Sequence, residues 1–405
     1  VRSIYWLRND IRLHDNATLR QFCESSSDGL IVWCANSSFA RAGERRRQFL
    51  IGSLLEFQAK MNEKGLPLLV FFDSVETVLP QLVRESGAGT VFVTTDPAPE
   101  EQIDEEQVAS IPNLNLIRVE QGNLLNPTDL PFAAHETPEV FTQFRNVVEK
   151  TCRVRDPLPV PDSWPKAISL NEAMRRLPID SSPEAVHPHI TPGESAGLSR
   201  VDEYIWKKDR LRLYKETRNG MMEWDDSTKF SPWLAAGALS PRQVYFEIQR
   251  YEKAREKNES TYWLYLELLW RDYFRLIMRK KGARIFGRIP ALNSKQSSDF
   301  LLWTQARTGD EFVDANMQEL NQTGWMSNRG RQNVASYLAK ERGVPWQYGA
   351  RYFEEKLIDY DTANNWGNWA YLAGVGQDPR NRRFNTARQA DTYDPQRFYR
   401  SMAER

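Results

Sequence analysis

The chain has 405 residues, with 54 Lys plus Arg balanced by 54 Asp plus Glu. That length allows two or three domains, each burying its own core, so no disulfide scaffold is needed. The three cysteines, Cys23, Cys34 and Cys152, form no C-x-x-C pair, which excludes a zinc or iron–sulfur cage built from them and fits free thiols in a reducing compartment.

The chain starts as VRSIYWLRND, strand-like sequence in place of a signal peptide, and no run of about 18 apolar residues follows, so a cytoplasmic protein without a membrane span is expected. In residues 1–127 the β-rich runs SIYWLRN, LIVWCA, PLLVFF, TVFVTT and LNLIRVE alternate with helical patterns such as RRRQFLIGSLLEFQAKMNEKG, predicting an α/β doubly wound parallel sheet. No G-x-G-x-x-G follows any of these strands, so a bound nucleotide is expected elsewhere. Residues 128–200 are proline-rich (RDPLPVPDSWPKA, SSPEAVHPHITPGES) and read as a surface connector with one or two short helices. Residues 201–405 read as an all-α domain. Ser231-Pro232 and Ser240-Pro241 each place a capping hydroxyl before a first-turn proline.

Charge divides along the chain: 20 Lys and Arg face 27 Asp and Glu in residues 1–200, whereas 34 face 27 in residues 201–405. Ten of the 13 tryptophans also follow residue 200. Basic charge among aromatic rings suits a polyanion with stackable bases, but a mildly basic helical surface that binds nothing has the same composition.

Four segments of the helical half invite a chemical reading. In STKFSPWL, Thr228, Lys229 and Ser231 sit at a helix start and read either as a phosphate cradle or as ordinary caps. In YLELLWRDYF, Glu267, Trp270, Arg271 and Phe274 recur at helical spacing, as a site or as surface charge and core ring. In TGWMSNRGRQN, Asn328, Arg329, Arg331 and Gln332 cluster at a glycine-marked turn, as ligand donors or as a solvated basic turn. In DYDTANNWGNW, Asp361, Asn365 and Trp369 at i, i+4 and i+8 share one helix face, and the plainer reading is Asp361 as a cap with packed indoles.

TKFSPWLAAGALSP, ELLWRDYF, TGWMSNRGRQNVASYL and DYDTANNWGNW together resemble the cryptochrome and photolyase family, and PEVFTQFRNVVE and YKETRNG resemble its DASH type. The resemblance runs from IYWLRNDIRLHDN over nearly the whole chain and implies an N-terminal α/β domain and an all-α FAD-binding domain. It matches Tyr214, Thr228, Lys229, Phe230, Ser231 and Arg271 to residues that hold FAD, and Asp359 and Asp361 to carboxylates near its ribose and ring edge, with Arg331 as their ion-pair partner. Asn365 matches the amide facing flavin N5, which tunes the accessible redox states. Trp369 matches the first electron donor to photoexcited flavin and Trp346 the second. At the place of the third, a surface tryptophan, the ungapped alignment has Asn293.

On the substrate side, Glu267 and Asn328 match hydrogen-bonding groups for a flipped cyclobutane pyrimidine dimer, and Trp270 matches the ring that stacks on it. Gln332 and Tyr371 stand where double-strand photolyases carry a methionine and a tryptophan, which implies a weaker grip and a preference for lesions in single strands. Arg329 and the RNRRF loop match backbone-phosphate contacts. The implied function is FAD-dependent, light-driven dimer repair in single-stranded DNA by a monomer, with RNA as a further substrate left open. The alternative is a blue-light photoreceptor that signals through flavin photoreduction, against which stands a closing segment shorter than the family's. A folate antenna (5,10-methenyltetrahydrofolate) is implied by the resemblance alone, and no metal is expected. All four histidines precede residue 190, which disfavours (6-4) photoproduct chemistry unless the connector enters the pocket.

Overall fold

Strand β1 (Arg2–Leu7) is buried along all but its first residue, because it lies centrally in a parallel sheet covered on both faces. Its neighbours are β2 (Asp28–Cys34) and, beyond that, β3 (Leu68–Phe71) on one side, and β4 (Thr90–Thr94) then β5 (Asn115–Val119) on the other, all parallel. A two-residue strand, β6 (Lys166–Ala167), also pairs with β2. Successive side chains leave opposite faces. Tyr5 and Leu7 therefore pack with Phe22 of α1 (Ala17–Ser25) and Phe57 of α2 (Glu44–Glu63). Ile4 and Trp6 pack with Leu82 of α3 (Val75–Ser86) and Val108 of α4 (Pro99–Ala109). This is the predicted doubly wound sheet, here seen in a computed structural model that describes residues 1–171, 186–376 and 383–403.

The order of connection reverses beside β1, and the buried Asp10 sits just past its carboxyl end. Asp10 accepts bonds from the Tyr5 hydroxyl (2.6 Å), the Arg8 amide (2.9 Å), the Gln121 side chain (3.1 Å) and Thr94. Asn16 caps α1 and donates to the Tyr5 oxygen (3.0 Å). These polar groups satisfy one another.

The predicted connector contains an eleven-residue helix, α5 (Phe141–Thr151), longer than the short pieces expected because Phe144 and Val148 bury a continuous stripe against the helical half. Residues 172–185 of the connector lie outside the described residues. The helical half follows as α6 (Ser231–Ala236), α7 (Pro241–Ala254), α8 (Glu259–Lys281), α9 (Ser294–Thr304), α10 (Glu311–Thr323), α11 (Asn328–Ser336), α12 (Trp346–Lys356) and α13 (Thr362–Ala373). Helix α8 runs through the core with Leu264, Leu268, Leu269, Leu276 and Ile277 buried. Ser240 caps α7 as predicted, accepting from the Arg242 amide at 3.1 Å. Ser231 does not cap α6: Lys229 takes φ +59°, the chain turns one residue early, and Phe230 occupies the cap position with no side-chain bond. Among the described residues no helix is long and apolar enough to cross a membrane.

Ion pairs and capped carboxylates join the two halves. Arg279 grips Glu120 with two nitrogens (2.7 and 2.6 Å), and buried Asp272 accepts the Leu124 and Leu125 amides (2.9 and 2.8 Å). At the end of the connector, Glu194 ties it to the sheet domain by accepting the Leu13 and His14 amides and pairing with Lys60 at 3.0 Å.

Candidate functional site

A cleft of about 270 Å³ opens in the helical half between α6, α8, the start of α11 and the segment before α13. Tyr214, Thr228, Lys229, Phe230, Ser231, Glu267, Arg271, Asn328, Arg331, Asp359 and Asp361 all line it. A smaller cavity of about 100 Å³ shares Asn328, Arg331, Asp359 and Asp361 with it and adds Gln332, Asn365 and Trp369. Four segments, the first and last more than a hundred residues apart in the chain, thus converge on one concave surface.

The phosphate-cradle segment is built around Lys229, whose ammonium lies 4.0 Å from the Trp325 ring centre and bonds Ser227 Oγ at 3.1 Å. Burial lowers its pKa to about 8, against the pull of Glu319 and Asp226. Helix α6 has only six residues, so its positive end adds less than the sequence reading assumed; Lys229, with the Thr228 and Ser231 hydroxyls, is what an anion would meet. Thr228 and Phe230 are buried, Ser231 is exposed on the cleft wall, and burial raises the Tyr214 phenol.

The opposite wall carries opposed charges. Arg331 donates through Nη2 to both oxygens of Asp359 (2.8 and 3.1 Å) and through Nε to the Met326 carbonyl (2.9 Å). Asp361 is the N-cap of α13, accepting both the Asn364 amide and its side chain at 2.8 Å, so the cap reading and the site reading hold together. Its ion-pair partner is Arg275 (3.4 Å), whereas the resemblance implied Arg331 for both carboxylates. Burial pushes the Asp361 carboxyl up, but Arg275, Arg271 and the Asn364 bonds outweigh it and hold it below the usual range. Arg271 is depressed by burial and donates to the Leu234 carbonyl at 3.3 Å. The Asn365 amide nitrogen is committed to the Ala350 carbonyl (3.0 Å), which leaves its oxygen for a ligand.

Glu267 is recessed in the cleft and paired with Arg218, whose guanidinium lies 4.4 Å from the Trp263 ring centre. Burial raises the Glu267 carboxyl, with Arg218 opposing. Trp270, one turn on, is half-buried, stacked on Phe141 of α5 at 3.7 Å and met edge-on by Tyr371 at 5.8 Å; neither Trp270 nor Tyr371 lines the cleft. Arg329 bonds Gln332 (2.9 Å) and Asn219 (3.0 Å) and lies 4.7 Å from the Tyr393 ring centre, so its guanidinium is held within the fold. Of RNRRF, Arg380, Asn381 and Arg382 lie outside the described residues, and Arg383 is exposed. His187 and His189 pack on Trp224 and do not line the cleft.

Trp369 is buried against α12, where Gly349 leaves room for its indole; a Cβ there would collide with the ring. Its ring neighbours are Phe353 (5.1 Å) and Trp303 (6.3 Å), while Trp346 meets Trp366 (5.6 Å). Asn293 is the N-cap of α9, bonded to Gln296.

Comparison with known proteins fits this geometry. The chain matches the FAD binding domain of DNA photolyase over residues 263–402 and the DNA photolyase domain over residues 3–162. It is 41% identical to the chloroplastic/mitochondrial cryptochrome DASH of Arabidopsis thaliana, over 98% of this chain and 74% of that protein, and 40% identical to cryptochrome DASH of Synechocystis, over 98% and 86%. The chain belongs to the cryptochrome/photolyase family. The Synechocystis cryptochrome crystal structure superposes with a TM-score of 0.92 at 39% identity, covering 99% of this chain and 88% of that one. A Sulfolobus tokodaii photolyase described with two FAD molecules gives 0.79 at 26% identity, covering 99% and 90%.

A cryptochrome/photolyase chain carries FAD in its helical domain, and the cleft fits that group: a buried cation and hydroxyls face carboxylates on Arg-buttressed backbone. A second concavity, at the carboxyl ends of β1 and β2, reaches Tyr360 of the helical half. Arg8 Nε, Arg46 Nη1 and Glu101 Oε2, from residues lining it, are buried without a hydrogen-bond partner, which suits a polar second ligand in this cryptochrome/photolyase fold. Arg218 and Arg275 carry no role in the sequence reading. Arg275 follows Glu267 and Arg271 at i+8 and i+4, so helical periodicity would have found it; Arg218 is 49 residues from Glu267, and only folding joins them.

Proposed function

We propose that the protein is a light-driven lyase that splits cyclobutane pyrimidine dimers in single-stranded nucleic acid. The observation that carries this reading is that Glu267 and Asn328 line the same cleft as the residues suited to FAD. Reduced FAD, when bound, supplies an electron under light. Tyr214, Thr228, Lys229, Phe230, Ser231 and Arg271 hold the cofactor's phosphates and chain, Asp359, Asp361 and Arg331 orient its ribose and ring edge, and Asn365 presents an amide oxygen to the ring. Glu267 hydrogen-bonds a pyrimidine carbonyl as negative charge develops there. Asn328 holds the second base edge. Extrusion from a duplex costs a few kcal/mol, which the small aromatic surface of Trp270 and Tyr371 offsets poorly, so single strands are preferred. Gln332 and the exposed Arg383 are offered to the nucleic-acid backbone, whereas Arg329 buttresses Gln332 from within the fold. The protein acts as a monomer, and the concavity between the halves holds an antenna of folate type. The test is loss of dimers from a single-stranded oligonucleotide under blue light with fully reduced FAD. No loss sinks the proposal, and a near-ultraviolet band absent from the purified protein sinks the antenna.

A second reading, a blue-light receptor, is favoured by the buried indoles Trp369, Trp303 and Trp346, which dimer cleavage does not need. A partner retained in light and released in darkness would favour it over repair.

A further inference from the structure

We propose that light-driven reduction of the bound flavin draws its electron through Trp369, Trp303 and Tyr352, with Tyr352 as the residue that discharges the hole to solvent. This rests on the reading that the cleft holds FAD.

Two aromatic branches leave the neighbourhood of Trp369, and they end differently. On the Trp346 side, the next ring is Trp366 at 5.6 Å, and the Trp366 indole nitrogen donates to the Tyr360 hydroxyl at 3.3 Å. Tyr360 is buried, and the Arg46 guanidinium lies 4.6 Å from its ring centre. A fixed cation beside a ring opposes removal of an electron from it, and a buried phenol has no water to take its proton. The surface position that would extend this side is Asn293, which has no ring.

The other branch runs from Trp369 to Trp303 at 6.3 Å and from Trp303 to Tyr352 at 5.5 Å. Trp303 is fully buried, and its indole N–H donates to the Val334 carbonyl at 3.1 Å. A carbonyl is too weak a base to keep that proton, so an oxidised Trp303 remains charged and can be refilled. Tyr352 is half-exposed, with its hydroxyl on Asn321 Oδ1 (2.5 Å) and the Thr304 carbonyl (3.0 Å). The Lys356 ammonium lies 5.5 Å from its ring centre and works against a charged ring, favouring loss of the proton with the electron.

The sequence balances. Trp369 gives one electron to the photoexcited oxidised flavin, Trp303 refills Trp369, and Tyr352 refills Trp303 while losing its phenolic proton to water. An external thiol then returns a hydrogen atom to the neutral phenoxyl, and the thiol is the species oxidised.

The test uses FAD-loaded protein with a thiol present. Electron paramagnetic resonance and transient absorption read the tyrosyl radical under light, steady-state bleaching reads reduction of the oxidised flavin, and flavin content is measured in every variant. Tyr352→Phe is expected to abolish the tyrosyl signal and slow bleaching with flavin content unchanged. Trp303→Phe is expected to do the same, and if it fails to fold, Tyr352→Phe alone decides. The proposal is overturned if signal and bleaching persist in Tyr352→Phe, or if Trp346→Phe removes the tyrosyl signal while Trp303→Phe keeps it. A colourless wild-type protein overturns the FAD reading itself; a yellow one without a Tyr352-dependent radical overturns only this route.

Discussion

Two polar regions of the molecule differ in whether their groups are closed on one another. Around Asp10 at the sheet's carboxyl edge, the Tyr5 and Thr94 hydroxyls, the Gln121 side chain and the Arg8 amide already satisfy the carboxylate. In the helical cleft, Lys229, Ser231, Glu267, Asn328 and Arg331 converge on open space. Both regions are rich in buried polar atoms, so polarity alone does not mark a site. What marks it is donors and acceptors aimed at a volume that no side chain fills.

Arg331→Ala removes one of the cleft's ion pairs and leaves Asp359, whose side chain is 2% exposed, as an uncompensated buried charge. A loss of roughly 3–5 kcal/mol in denaturant unfolding is expected. Glu267→Ala should act on the open part instead: repair falls by about 10²–10³-fold, flavin content stays, and Tm barely moves. A large fall in Tm there would mean that Glu267 is structural.

Acid should open the latch between the connector and the sheet domain. Glu194 is 2% exposed, and the His14 and Lys60 bonds outweigh burial to hold its pKa down to about 2. Because the folded value is depressed, the stabilisation is complete above the unfolded value of about 4.3 and is lost as pH falls from there toward 2; it is on the order of 3 kcal/mol. Glu194→Gln should flatten that limb of a pH–stability profile. Asp10→Asn is expected to cost about 2 kcal/mol by disturbing a closed network, with the flavin spectrum unchanged. The smallest effect concerns Lys229: with its pKa near 8 in the free cleft, its charge is present below that pH and lost above it, so FAD affinity of the apoprotein should fall by about tenfold through alkaline pH. Titration of FAD binding against pH checks this, and Lys229→Met should abolish the dependence.

The elements legible in the sequence are those that one period specifies. The five strands and their covering helices follow from alternation and helical spacing, and Asp361, Asn365 and Trp369 do share a face of α13. Ser231 misled because a serine before proline looks like a cap, whereas the left-handed turn at Lys229 moves the helix start. The Arg218–Glu267 pair, the Phe141 ring on Trp270 and the Trp303–Tyr352 contact join residues far apart in the chain, and no local pattern encodes such pairs. The resemblance located the cleft residues by position and gave the Arg331–Asp359 pair, but not Arg218 on Glu267 or Arg275 on Asp361, and pairing is what sets their charge.

Lys229 has one more consequence. An L-residue with a side chain at φ +59° sits about 1–2 kcal/mol above the comfort of glycine at the same turn. Replacing it with glycine would make the empty fold sturdier and the loaded one feebler, so robustness and grip are set against each other at a single peptide unit.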